Sequence, residues 1–249
     1  MRIAIAGATG NIGARTAAAL GDEGHDVVPI SRSLGVDLLT GEGLDAALHG
    51  VDAVIDAISS PPVGPDETRE YFATTTTNLL DSEQRAGVNH HVLLSIVGIH
   101  RIHGGTAHYV GKREQERLVE AGPVPWTIVP ATQFHDFAAM AASWTEQDGV
   151  ALIAPLLVQP IAPDDIAHVL AEVALGAPRG RYVDVAGPET QDLVDMARRT
   201  HVVLHRSVTL IPTWSGPLGQ ELAGNVLLPS DGARIAPTTF EQWLAAGAK

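Results

Sequence analysis

The chain has 249 residues, 45% of them hydrophobic, and a formal charge of −13 from 29 acidic against 16 basic side chains. This length suits one large domain, or a domain with a small lobe, and the acidic balance without a Lys/Arg run excludes the basic footprint of a nucleic-acid binder. The absence of cysteine excludes disulfides, a thiolate nucleophile and a Cys-ligated metal, and no apolar run approaches the ~18 residues of a membrane span.

The chain enters a strand at once, Arg2-Ile3-Ala4-Ile5-Ala6, without a basic region or cleavage site. No signal peptide and a cytoplasmic location are therefore expected. Next come Gly7, Ala8, Thr9, Gly10, Asn11, Ile12 and Gly13, then a run of helix formers from Ala14 to Leu20. Strand, glycine turn and helix in that order form a dinucleotide cradle. The glycines permit a sharp bend, close approach of backbone to a pyrophosphate and packing of helix on strand; the helix start faces the phosphates with its N–H groups and positive dipole end. A second apolar strand, Asp26 to Ser31, follows at the spacing of a first βαβ unit. Pro29 is awkward within it, because proline cannot donate to a central ladder. A short strand from Leu34 to Leu38 and a thin sheet edge are expected there.

Gly43 to His49 reads as a short helix and Val51 to Ile58 as a strand, carrying Ala57 as a candidate coenzyme contact, before the loop Ser59-Ser60-Pro61-Pro62. Glu67 to Ala86 is a long helix ended by Gly87, and Asn89 to Val97 a strand followed by a loop with Gly98, Gly104 and Gly105. Thr106 to Glu120 is helical and Trp126 to Pro130 another strand. This alternation predicts an α/β fold, an open parallel sheet with helices on both faces, whose ligand lies beyond the carboxyl ends of the strands. The pattern then loosens. Phe134 to Thr145 reads as helix, and Val150 to Ile161 as apolar runs broken by Pro155 and Pro160. A helix from Pro163 to Leu175, a strand from Arg181 to Ala186, a helix from Leu193 to Arg199, a strand from Ser207 to Ile211 and a helix from Thr239 to Ala246 complete the chain. Asp164 and Asp165 fit the first turn of a helix, where negative charge is favoured, better than a catalytic carboxylate pair.

The second strand ends in Ser31-Arg32-Ser33 instead of the acidic residue that would hold the ribose 2′-hydroxyl of NAD. A guanidinium and two hydroxyls suit a 2′-phosphate, so NADP is the expected coenzyme and NAD the lesser alternative. Asp37 is a candidate contact for the adenine amino group, or a cap for the turn before Gly41.

Six stretches, GATGNIG (7–13), GVDAVIDAIS (50–59), TTNLLDSEQRAGV (76–88), HHVLLSIVG (90–98), HYVGKREQE (108–116) and PWTIVPATQFHD (125–136), together with AGPE (186–189), resemble the NmrA-like, atypical branch of the short-chain dehydrogenases/reductases. The resemblance implies a seven-stranded, doubly wound Rossmann core and a small C-terminal substrate lobe over the nicotinamide end. Over 1–249 that is one NAD(P)-binding domain, with its core to about 135 and its lobe in segments of about 136–249. It implies either an NADPH-dependent reductase of a small carbonyl, quinone-like or other conjugated acceptor, or a catalytically silent NADP(H) sensor; an epimerase or dehydratase acting on a nucleotide sugar is a third reading, though that usually wants an intact Tyr and a larger C-terminal lobe.

Family enzymes place a Tyr four residues before a ribose-holding Lys, whose charge lowers the Tyr pKa. Lys112 matches that Lys, but His108 stands four residues before it and Tyr109 three. Both are helix neighbours of Lys112 and point ~100° apart, so at most one takes the Tyr's place. His108 is chemically sensible because imidazole titrates near neutrality; Tyr109 is the other candidate, and a site with no acid–base residue remains open. Ser95 matches the family's substrate-facing Ser. Pro130, Thr132 and Phe134 should border the nicotinamide, with Gln133 able to bond a substrate or the carboxamide. Asn78 is read as bracing backbone near the catalytic helix, and Trp144 and Trp214 as candidates for the wall of the substrate lobe, with core packing the favoured role. His100, His103 and His108 match no zinc spacing, so no metal is expected. The expected partner is a small-molecule substrate, with a homodimer or a protein partner left open and no nucleic acid or membrane.

Overall fold

In the computed structural model, residues 1–60, 64–102 and 106–248 are described. Pro61, Pro62, His103, Gly104 and Gly105, which enter the loop and metal readings above, lie outside them. The strands and helices run β1 (Arg2–Ala6), α1 (Asn11–Asp22), β2 (Asp26–Ile30), α2 (Leu44–Ala47), β3 (Ala53–Asp56), α3 (Pro65–Ala86), β4 (His90–Ile96), α4 (Ala107–Ala121) and β5 (Trp126–Ala131). They continue with α5 (Phe137–Ser143), β6 (Val150–Ile153), β7 (Leu157–Val158), α6 (Pro163–Leu175), β8 (Gly180–Arg181), β9 (Val185–Ala186), β10 (Gln191–Asp192), α7 (Leu193–Val203), β11 (Thr209–Pro212), β12 (Arg234–Ile235) and α8 (Phe240–Ala245). None of the described helices is long and apolar enough to cross a membrane.

The chain divides into two compact units: residues 1–95, 107–130 and 166–182 form one, and residues 96–106, 131–165 and 183–249 the other. In the first, a parallel sheet runs β2-β1-β3-β4-β5, with β8 beside β5. Its strands are apolar on both faces, as a parallel sheet covered by helices requires. Ala4 and Ala6 of β1 share a buried cluster with Val54, Leu93, Phe72 and Leu79 of α3, and Val119 of α4. By strand alternation Ile3 and Ile5 face the other side, where they are equally buried. The helices α3 and α4 come so close that a Cβ on Gly111 would overlap the Phe72 ring and lie 2.8 Å from Thr68 Cγ2. In the second unit Ala131, the last residue of β5, pairs in parallel with Val185 of β9, itself paired with β12. The expected α/β Rossmann fold is present.

Pro29 is accommodated because β2 is the edge strand. Alternate residues of a strand bond to opposite sides. Ile30 faces β1, accepting the Gly7 N–H at 3.1 Å, so Pro29 turns outward, where no strand follows. The strand expected at Leu34 to Leu38 does not form. Arg32–Leu34 is a single 3₁₀ turn, stopped by Gly35 at φ 84°, and the chain folds back on itself through Asp37 N–H to Glu42 O and Gly41 N–H to Asp37 O. The helix expected from Phe134 is shorter, because residues 133 to 135 are extended and bonded to Ile161. The expected strand at Arg181 to Ala186 splits into β8 and β9.

In the second unit β6 pairs with β11, β7 with β10, and α5 packs on α7. Asp192 caps α7 through the Asp195 N–H, and Thr239 with Gln242 forms a capping box on α8. Asp164 and Asp165 do lie in the first turn of α6, and Asp165 accepts from the Thr238 N–H and hydroxyl. Trp144 is 45% exposed, against the favoured role of a core residue; it meets the Phe137 ring edge-on at 5.9 Å.

One buried histidine in each unit is held neutral. In the first, His90 Nδ1–H donates to Gly176 O, and Nε2 lies 2.8 Å from Thr127 Oγ1, which also accepts the Arg179 N–H. A neutral ring takes the Thr127 hydroxyl at its bare Nε2. Burial lowers His90 to about 4, and burial likewise lowers His135 to about 4 beside Phe240 and Trp243.

The close helix contact predicts that Gly111→Ala will cost ~1–3 kcal/mol by overpacking, read as a lower urea midpoint; an unchanged midpoint would contradict it. The neutral histidines predict a loss of stability on acidification. Between their unfolded pKa, ~6.5, and their folded pKa, about 4, the unfolded chain binds more protons. Each therefore removes up to ~1.4 kcal/mol per pH unit as pH falls through that window. Urea unfolding at pH 7 and pH 5 should show the slope, and His90→Gln should flatten it by one group's share.

Candidate functional site

The glycine turn is held by steric necessity at two of its three glycines. Gly7 has φ 82°, and a Cβ there would lie 2.8 Å from the Ala57 carbonyl oxygen; a Cβ on Gly13 would overlap the Gly7 carbonyl oxygen. These two positions weld β1, the end of β3 and α1 together. Gly10 differs: its added Cβ would meet only Gly7 O, at 3.2 Å, and the residue is exposed with Thr9 and Asn11, while Ile12 is buried beneath them. Gly10 is also the N-cap of α1, with no side-chain cap, and the first turn carries no acidic residue. The first turn thus offers the positive end of the helix no carboxylate of its own, and Gly10 presents no side chain there. Such a bare helix start suits a diphosphate, and the residues present fit a dinucleotide coenzyme.

Beside it, at the end of β2, Arg32 is exposed between Ser31 and Ser33, whose hydroxyls are 2.8 Å apart. Asp37 accepts the Leu39 N–H at 2.8 Å, so its carboxylate stabilises the turn. Asn78 corrects an expectation: its amide donates to the carbonyls of Leu38 (2.9 Å) and Leu39 (3.0 Å), bracing the Arg32–Asp37 loop and not the catalytic helix. Tyr71, also on α3, lies within electrostatic reach of Arg32, Asp37 and Asp56; burial raises its pKa.

On α4, Lys112 is 3% exposed, and its Nζ lies 5.4 Å from the centre of the Phe72 ring. It donates to Gln115 Oε1, and Gln115 Nε2 in turn donates to Asp56 Oδ2 at 2.7 Å. Burial pushes the Lys112 ammonium down to about 8, against the pull of Asp56 and Glu116. His108 is half-buried, edge-on to Phe72 at 5.7 Å. Burial, assisted by the Lys112 charge, lowers its pKa to about 4. This corrects the argument from near-neutral titration: at neutral pH the ring is uncharged. A neutral imidazole can still donate one hydrogen bond to a developing oxyanion. Tyr109 is buried on the neighbouring side of the helix, 8% exposed. Ser95, read as substrate-facing, is 3% exposed, and its hydroxyl donates to Glu116 at 2.5 Å; Glu116 is also paired with Arg181 at 2.7 Å.

Gly7, Thr9, Gly10, Asn11, Ile12, Gly13, Arg32, Asp37, Ala57, Ser95, His108, Tyr109, Lys112 and Pro130 all belong to the first unit. Thr132 and Phe134 belong to the second. There Thr132 is buried with its N–H on Val185 O, and Phe134 is half-buried beside Ile161; the Gln133 Oε1 between them is buried without a partner among the described residues. Sequence reasoning missed Asp56, Gln115 and Phe72. Buried polar residues one strand end and one helix turn from Lys112 were the available signal. No cluster of three or more metal-ligating side chains occurs among the described residues.

The NAD(P)H-binding family matches residues 7–176, from the glycine turn past Lys112. The chain is 29% identical to the (4-alkanoyl-5-oxo-2,5-dihydrofuran-3-yl)methyl phosphate reductase of Streptomyces griseus, over 97% of its own length and 84% of that protein's. The NADPH-dependent quinone oxidoreductase QOR2 of Escherichia coli, complexed with NADPH, shares the fold at a TM-score of 0.69 and 18% identity, over 99% of this chain and 100% of that one. So does the Thermus thermophilus UDP-glucose 4-epimerase in complex with NAD, at a TM-score of 0.69 and 14% identity, over 100% and 94%. Reductases and epimerases, with either coenzyme, thus share this architecture. With the family match spanning more than half its length, the chain belongs to the NAD(P)H-binding family, in the NmrA-like, extended branch of the short-chain dehydrogenases/reductases.

Proposed function

We propose that the protein binds NADPH and uses it to reduce a small carbonyl, quinone-like or other conjugated acceptor. Arg32 is the observation that carries the choice of coenzyme: an exposed guanidinium at the end of β2, flanked by two serines, where an NAD enzyme would present a carboxylate. The backbone from Gly10 to Ile12 would hold the diphosphate, Arg32 the 2′-phosphate and Lys112 the nicotinamide ribose. When bound, the coenzyme supplies the hydride. The chain's own contribution is orientation and charge. Lys112 places a cation near the reacting centre, and the neutral His108 donates a hydrogen bond to the acceptor oxygen as negative charge builds there. A quinone-like acceptor spreads that charge over its conjugated system, so its proton can come from water. The Streptomyces griseus relative, named as a reductase, supports reduction over epimerisation.

A second reading, a catalytically silent NADP(H) sensor, is favoured by one feature. The family Tyr is replaced by His108, which cannot act as a charged acid at neutral pH.

Fluorescence titration should show NADPH binding more tightly than NADH, with Arg32→Ala erasing most of the difference; equal affinities in the parent protein would remove the 2′-phosphate assignment. In turnover of a quinone panel, His108→Ala should lose ~10²-fold or more in kcat. Tight NADPH binding with no turnover of any acceptor would select the sensor.

A further inference from the structure

A buried ammonium is costly unless a counter-charge is arranged for it. Lys112 has one at a distance. Gln115 lies three residues on along α4, one turn away and on the same face; Asp56 is the last residue of β3. Neither Asp56 nor Gln115 exposes any surface. Asp56 Oδ1 accepts the Ile58 N–H at 3.1 Å, which leaves Oδ2 for Gln115. Only the NH₂ of an amide can donate to a carboxylate, and only its oxygen can accept from an ammonium. The Gln115 side chain therefore has one permitted orientation, with its dipole aligned from Lys112 to Asp56.

We propose that Asp56 and Gln115 are positioning residues for Lys112, the Gln115 amide relaying the Asp56 charge so that Lys112 stays cationic and aimed for the coenzyme. The proposal rests on the reading of Lys112 as a coenzyme-holding residue. A direct Lys112–Asp56 bridge would draw the ammonium to β3. The amide bridge holds it one side chain away and uses one of its three N–H donors. Asp56 also directly precedes Ala57, whose carbonyl limits the space at Gly7, so the relay ties Lys112 to the floor of the diphosphate cradle.

The charged and titratable groups facing Lys112 are Asp56 from β3, Glu116 and His108 from α4, and His91 from β4, the last bonded to Glu83 of α3 at 2.9 Å. Glu116 is shared with Arg181, and of the two carboxylates Asp56 exerts the larger pull on Lys112. Burial lowers Lys112 to about 8, close enough to working pH for the loss of one carboxylate to change its charge.

NADPH binding, followed by nicotinamide fluorescence from pH 6.5 to 9.5, tests this in the parent protein, Asp56→Asn and Gln115→Leu, with thermal melts alongside. The parent should lose affinity as Lys112 deprotonates, with a midpoint near pH 8. Each variant should move that midpoint down by about one unit. Arg117→Ala, an exposed change on the same helix, should leave it in place. Gln115→Leu alone decides by the same midpoint if Asp56→Asn fails to fold. A parent that binds NADPH, with an unmoved midpoint in the folded variants, overturns the relay only. A parent that binds no NADPH overturns the coenzyme reading beneath it.

Discussion

The structure depends on one contact with no room in it: the Cα of Gly13 against the carbonyl of Gly7. A methyl group at residue 13 would overlap that oxygen, and one at residue 7 would press on Ala57. Two glycines therefore let α1 start directly on the end of β1 and let β3 end beside both. The third, Gly10, is not required by packing. It keeps open the surface that the other two create. Conformational freedom at Gly7 and close approach at Gly13 are structural needs, while the bare backbone at Gly10 has a use only if something is brought to it.

What surrounds the turn is graded by burial. Arg32 is solvent-exposed, so its charge stays hydrated without cost to stability. Lys112 is enclosed, so its charge depends on a chain of polar side chains running through Gln115 to Asp56. Nearby, Ser95 and Arg181 converge on Glu116. The first unit thus buries several ionisable groups in matched arrangements, as the low-dielectric interior demands. Asn78 extends the same economy outward, using one amide to hold two carbonyls of the loop that presents Arg32.

Much of this was legible in the sequence. The order strand, glycine turn and helix, and the alternation as far as Pro130, depend on local period and on glycine, both visible residue by residue. Arg32 was legible because it stands at a fixed place after a strand. The failures have physical reasons. Leu34 to Leu38 has the composition of a strand, but Gly35 in a left-handed conformation and the turn closed by Asp37 left no partner for it. Asn78 was correctly suspected of bonding to backbone, but its partner lies 40 residues earlier in the chain and no helix period reveals it. His108 looked like an acid by residue type alone; burial beside a lysine, invisible in sequence, makes it neutral. Beyond Pro130 the strands shorten to two to four residues, and such pieces carry too little period to be read.

The central claim is that the turn from Gly7 to Gly13 cradles the diphosphate of NADPH, and a crystal structure of the protein with that coenzyme tests it most directly. The account predicts diphosphate oxygens on the backbone N–H groups at the start of α1, the 2′-phosphate on Arg32 and the nicotinamide ribose on Lys112. Crystals grown in excess coenzyme that show the turn empty, or the coenzyme bound elsewhere, would contradict it.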